Sequence, residues 1–97
     1  MTVSSPASAA RRFLVRGRVQ GVGFRYFVLG EARSLGISGF TRNLPDGNVE
    51  VQAAGDVEAL EALARTLEQG PALSRVDGVT AQDLETAPTW REFKITH

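Results

Sequence analysis

The chain has 97 residues, 42% of them hydrophobic, and its eleven basic and eleven acidic side chains cancel. That length predicts one domain able to build a core, and the charge balance argues against a protein whose main task is gripping nucleic acid or an acidic membrane. Cysteine is absent, which excludes disulfides, iron–sulfur clusters and thiol nucleophiles and fits a cytoplasmic protein, and no apolar run approaches the roughly 18 residues of a membrane span.

Residues 1–10 are small and unpatterned and read as a disordered tail, leaving a single domain over 11–97. Arg11-Arg12 looks like a twin-arginine start, but the apolar segment after it breaks at Arg16, so no signal peptide is expected. From Arg12 the pattern alternates. Phe13, Val15 and Val19 share a face with Gly17, while Leu14, Arg16 and Arg18 take the other, which predicts a strand buried on one side. A glycine-rich turn, Gln20-Gly21-Val22-Gly23, leads to Phe24, Phe27, Val28, Ala32 and Leu35 at helical spacing, and Gly36 ends that helix. Gly30 falls inside it, at a cost of about 1 kcal/mol against alanine, and is expected to permit close packing on the sheet.

Ile37 to Leu44 and Asn48 to Ala54 read as a hairpin around Pro45-Asp46-Gly47. Val49, Val51 and Ala53 face one way, and Glu50 and Gln52 the other, as solvated positions. Asp56 is placed to cap a second helix whose buried stripe is Val57, Leu60, Leu63, Ala64 and Leu67, with Gly70-Pro71 at its end. A fourth strand is expected over Arg75 to Leu84, a loop at Thr86-Ala87-Pro88, and a short last strand at Phe93 and Ile95. Trp90 reads as a packing residue near it. Two one-sided helices and an antiparallel hairpin imply an α+β fold. It is a two-layer ferredoxin-like sandwich, βαββαβ with a short extra C-terminal strand, its two helices on one face of a mainly antiparallel sheet. The first crossover is expected to make strands one and three parallel neighbours, with strand two bordering strand three.

The stretch from Gly17 to Arg25 has the composition of an anion trap. Its glycines let several N–H groups point one way, the first N–H groups of a helix lack internal partners, and Arg25 adds a permanent charge with a fork of donors. It is neither a Walker loop nor a dinucleotide fingerprint, because no Lys-Ser/Thr follows the last glycine and the spacing departs from G-x-G-x-x-G. On spacing alone a tight turn with a solvated arginine fits as well. His97 is the only histidine, so neither a histidine metal cluster nor a Ser-His-Asp set can be built. Asp46 is a turn residue, and Asp77, Asp83 and Glu85 show no ligand spacing, so no metal and no cofactor are expected.

Gly17-Arg18-Val19-Gln20-Gly21-Val22-Gly23-Phe24-Arg25 resembles the first signature of the acylphosphatase family, and Gly39-Phe40-Thr41-Arg42-Asn43-Leu44-Pro45-Asp46-Gly47-Asn48-Val49-Glu50 resembles the second. With Gly70-Pro71 and Phe93-x-Ile95, the resemblance covers about residues 12–96. Members of that family hydrolyse the carboxyl–phosphate bond of acyl phosphates without a metal or a phosphoenzyme. The resemblance implies that Arg25 binds the substrate phosphate with backbone N–H groups of Gln20, Gly21, Val22, Gly23 and Phe24, and that Asn43 positions the attacking water. It implies a small-molecule acyl phosphate as substrate and inorganic phosphate or a similar anion at the loop. Nucleic acid and membrane are not expected partners, and the chain is expected to be a monomer. Gln20 also reads as a brace for the loop, and Gly21 and Gly23 as shapers of its backbone. Thr41 departs from the small apolar residue common in the family and brings a hydroxyl that needs a partner. Gly23 also departs and should loosen the loop. Two rivals remain on the residues. One is an anion-binding module without turnover, against which Asn43 beside Arg25 argues. The other is an RNA-recognition domain of the same architecture, against which the non-aromatic Glu50 and Gln52 argue.

Overall fold

In the computed structural model, which describes residues 9–85 and 90–97, seven elements follow the predicted order. They are β1 (Ala9–Arg18), α1 (Phe24–Ser34), β2 (Ser38–Asn43), β3 (Val49–Gly55), α2 (Val57–Gln69), β4 (Arg75–Asp83) and β5 (Phe93–Ile95). Most of the expected tail and the Thr86-Ala87-Pro88 loop lie outside the described residues. Ala9 and Ala10, assigned above to the tail, stand in β1 opposite Gly55 and Ala54.

The strands form one sheet in the order β4-β1-β3-β2-β5. β3 pairs antiparallel with both β1 and β2, and only β2 and β5 pair in parallel. The expected parallel contact of strands one and three is therefore corrected. The crossover through α1 brings β2 back parallel to β1 but leaves a gap one strand wide, and the hairpin reverses the chain so that β3 fills it running the other way. The C-terminal ends of β1 and β2 therefore lie at the same end of the sheet.

Period-two apolar residues of the strands and the helical stripes meet in one core. Phe13, Val15, Val49, Val51 and Ala53 come from the sheet, Phe24, Val28 and Ala32 from α1, Leu60, Leu63 and Leu67 from α2, and Phe93 from β5. Each is essentially inaccessible, which contributes roughly 1.5–3 kcal/mol for a large aliphatic or aromatic side chain. α1 packs over β2 and β5, and α2 over β4 and β1. Val57, expected in the buried stripe, is exposed instead. It is the first helical residue, and its side chain leans back past the helix end. Asp56 holds the N-cap position with extended backbone but makes no side-chain capping bond. Gly30 is exposed, and a Cβ there would meet nothing within 4 Å, so it serves no close packing.

The largest departure from expectation is Glu50, which is 2% exposed rather than solvated. Arg42 stands directly opposite it on β2, and Arg12 lies diagonally across on β1 beside Leu14, its direct partner. Their Nε atoms reach the carboxylate at 2.6 Å and 2.5 Å, and Gln52 Nε2 adds a bond of 3.2 Å. Burial pushes the Glu50 carboxyl pKa up, but the bonds from Arg12, Arg42 and Gln52 and the charge of Arg12 outweigh it and hold it below the ordinary value of 4.5. Thr41, also buried, gives its hydroxyl hydrogen to the Glu50 carbonyl at 2.9 Å, which supplies the partner its departure from the family required. On the outer face Trp90 packs edge-on against Phe40, with ring centroids 5.7 Å apart.

Candidate active site

Where β1 ends, the chain turns through Gly21 and Gly23 at φ 75° and 78°, left-handed values that glycine adopts without strain. Gly23 is the N-cap of α1, and its carbonyl accepts the first helical bond, from Phe27 N–H at 3.0 Å. The N–H groups of Gly23, Phe24, Arg25 and Tyr26 thus precede the helical ladder and have no partner within it. Among the described residues no side chain caps them, and the first turn holds no acidic residue. The positive end of the helix dipole is left open there.

That open end faces a cavity of about 110 Å3 lined by Val19, Gly21, Gly23, Phe24, Arg25, Tyr26 and Asn43. The two residues singled out for chemistry are therefore brought together from different elements, Arg25 from the first turn of α1 and Asn43 from the last position of β2. The parallel run of β1 and β2 explains the meeting, since it sets the loop after β1 beside the end of β2. Asn43 shares the core-facing side of β2 with Thr41, and its backbone partner is the buried Val49. Its Oδ1 is buried and, among the described residues, has no hydrogen-bond partner. A buried acceptor left unpaired costs about 1–3 kcal/mol, so this atom is suited to a hydrogen-bond donor entering the cavity. Among the described residues no carboxylate lies within ion-pair distance of Arg25.

Of the loop residues expected at the site, Gly21, Gly23 and Phe24 line the cavity, whereas Gln20 and Val22 do not. Val22 packs against the core. Gln20 points across to the hairpin, where its Nε2 donates to the carbonyls of Leu44 and Asn48, both at 2.8 Å. Those two bonds tie the loop to the turn immediately beyond Asn43 and agree with the bracing role read from the sequence. Sequence reasoning missed Tyr26, whose only signal was its place next to Arg25. Among the described residues no group of three or more His, Cys, Asp or Glu side chains is placed to hold a metal ion, and no helix is long and apolar enough to cross a membrane.

Fold and cavity together define a two-layer α+β domain whose chemistry-bearing residues meet at one end of the sheet. Comparison with known proteins agrees and goes further. A family model described as Acylphosphatase matches residues 11–95. An acylphosphatase of Chlorobaculum tepidum is 49% identical over 82 residues, spanning 84% of this chain and 89% of that protein. One from Thermus thermophilus is 56% identical over 69 residues, spanning 71% and 78%. The crystal structure of acylphosphatase from Bacillus subtilis superposes with a TM-score of 0.90 at 34% identity, covering 93% of this chain and all of that one. The chain belongs to the acylphosphatase family, whose members are hydrolases of acyl phosphates.

Proposed function

We propose that the chain hydrolyses acyl phosphates by direct attack of a water held by Asn43, with the phosphoryl group bound by Arg25 and the N–H groups of Gly21, Gly23 and Phe24, the loop positions that line the cavity. The observation that carries this reading is the buried, unpartnered Oδ1 of Asn43 in the same cavity as Arg25 and the open N-terminus of α1. The phosphoryl group is a dianion. Arg25 offers a charged, planar fork of donors to it, while the helix end adds oriented N–H groups. Asn43 accepts a hydrogen bond from water through Oδ1 and so aims a lone pair at phosphorus without titrating. The new bond joins the water oxygen to phosphorus. The bond from phosphorus to the bridging oxygen breaks, and its electron pair leaves with the carboxylate. The water's protons stay with the phosphate product. Carboxylate is a good leaving group, so the site needs charge stabilisation and alignment rather than a general acid.

The test is release of benzoate and inorganic phosphate from benzoyl phosphate, with a chelator present, by the natural chain and by Arg25→Ala and Asn43→Ala. Each variant is expected to keep its circular dichroism spectrum and lose at least about 100-fold in kcat/KM. Folded variants that turn over at the natural rate would remove these residues from the mechanism.

A further inference from the structure

Tyr26 is 72% exposed, an unusual state for a large aromatic residue, yet it lines the same cavity as Arg25 and Asn43. It sits in the first turn of α1, and helical side chains lean toward the N-terminus, so its ring covers the ground in front of the loop rather than the helix flank. The neighbouring loop positions add little apolar surface there. Gly21 and Gly23 carry no side chain, and a Cβ at either would meet nothing within 4 Å, while Val22 is turned into the core. Among the described residues the paired rings are Phe24 with Phe27 and Phe40 with Trp90, so Tyr26 has no aromatic partner of its own.

The cavity itself, about 110 Å3, is far below the roughly 300 Å3 at which pockets begin to enclose drug-sized molecules. It has room for a phosphoryl group and a water, whose share of liquid volume is about 30 Å3. The acyl part of a substrate must then lie at the mouth, against Tyr26. We infer that Tyr26 is a specificity-determining residue: its ring is a platform for the acyl group and favours aryl and other flat, extended acyl phosphates over acetyl phosphate. The inference rests on the phosphate-site reading proposed above. The contact is made equally in the ground and transition states, so it lowers KM and leaves kcat alone.

The experiment compares benzoyl phosphate with acetyl phosphate in the natural chain, Tyr26→Ala, Tyr26→Phe and Arg25→Ala. Tyr26→Ala is expected to raise KM for benzoyl phosphate about fivefold, within the range of aromatic contacts, with kcat unchanged. For acetyl phosphate KM should move by less than about twofold, and Tyr26→Phe should match the natural chain because the ring and not the hydroxyl is used. If Tyr26→Ala changes both substrates by the same factor, or Tyr26→Phe behaves like Tyr26→Ala, the platform is refuted while Arg25-dependent hydrolysis leaves the phosphate site standing. If Arg25→Ala hydrolyses both substrates at the natural rate, the phosphate-site reading fails and the platform falls with it.

Discussion

Glu50→Gln isolates the buried charge cluster on the outer face of the sheet. The carboxylate accepts from Arg12, Arg42 and Gln52, and its side chain is only 3% exposed. The amide has nearly the same shape but one acceptor oxygen in place of two, so one guanidinium loses its partner and faces an NH2 donor. Hydrogen bonds to charged groups contribute about 1.5–3 kcal/mol. The lower half of that range applies, because Arg12 and Arg42 are 33% and 42% exposed and water can replace the lost bond. A loss of about 2 kcal/mol corresponds to a fall in melting temperature of about 10 °C for a domain of this size. The pH dependence supplies the sharper check. The Glu50 pKa is lowered on folding, so its stabilisation is present above the ordinary carboxylate value of 4.5 and is lost as pH falls through the folded value. Thermal or urea unfolding, followed from pH 7 into acid, should therefore show a large gap between the natural chain and Glu50→Gln at pH 7 that narrows as pH falls below 4.5 and on through the folded value. Arg42 and Asn43 are successive strand residues on opposite faces, so turnover at 25 °C should stay within about twofold of the natural chain. Equal stability at pH 7, or a gap that does not shrink in acid, would refute the argument.

Variants at two further positions probe the loop and the first helix. Gln20→Ala removes both bonds to the hairpin and should cost about 1–2 kcal/mol in urea unfolding, while Gln20→Glu, which has no donor to offer the carbonyls of Leu44 and Asn48, should be at least as damaging. Gly30→Ala should raise stability by about 0.5–1 kcal/mol, measured the same way, because the position is helical, exposed and has open space where the Cβ would go.

Periodicity made the framework legible. The alternation through Phe13 and Val15, the stripe of Leu60, Leu63 and Leu67, and the hairpin around Asp46-Gly47 each report which side of one element is apolar, and the core is assembled from those sides. Arg25 and Asn43 were named by the two stretches that resemble the acylphosphatase signatures; what brings them together is the parallel run of β1 and β2 on either side of an antiparallel β3, which the expected topology did not contain. What stayed hidden depends on neighbours across strands. Glu50 alternates like a solvated residue, and only the register that sets Arg42 opposite and Arg12 diagonal to it turns it into a buried ion cluster. The direction of β3 relative to β1 depends on the gap left by the crossover, which no local pattern encodes. Asp56 shows that a capping residue in the capping position need not form the capping bond. Gly30 shows that a helical glycine need not mark a close approach.

The central claim, that Arg25 and the loop bind phosphate while Asn43 serves only the water, is tested most directly by measuring kcat and the inhibition constant of inorganic phosphate side by side in Asn43→Ala. The account predicts that kcat falls at least about 100-fold while the phosphate inhibition constant stays within about twofold. An undiminished kcat, or a phosphate affinity that falls in step with it, would contradict the division of labour between the two residues.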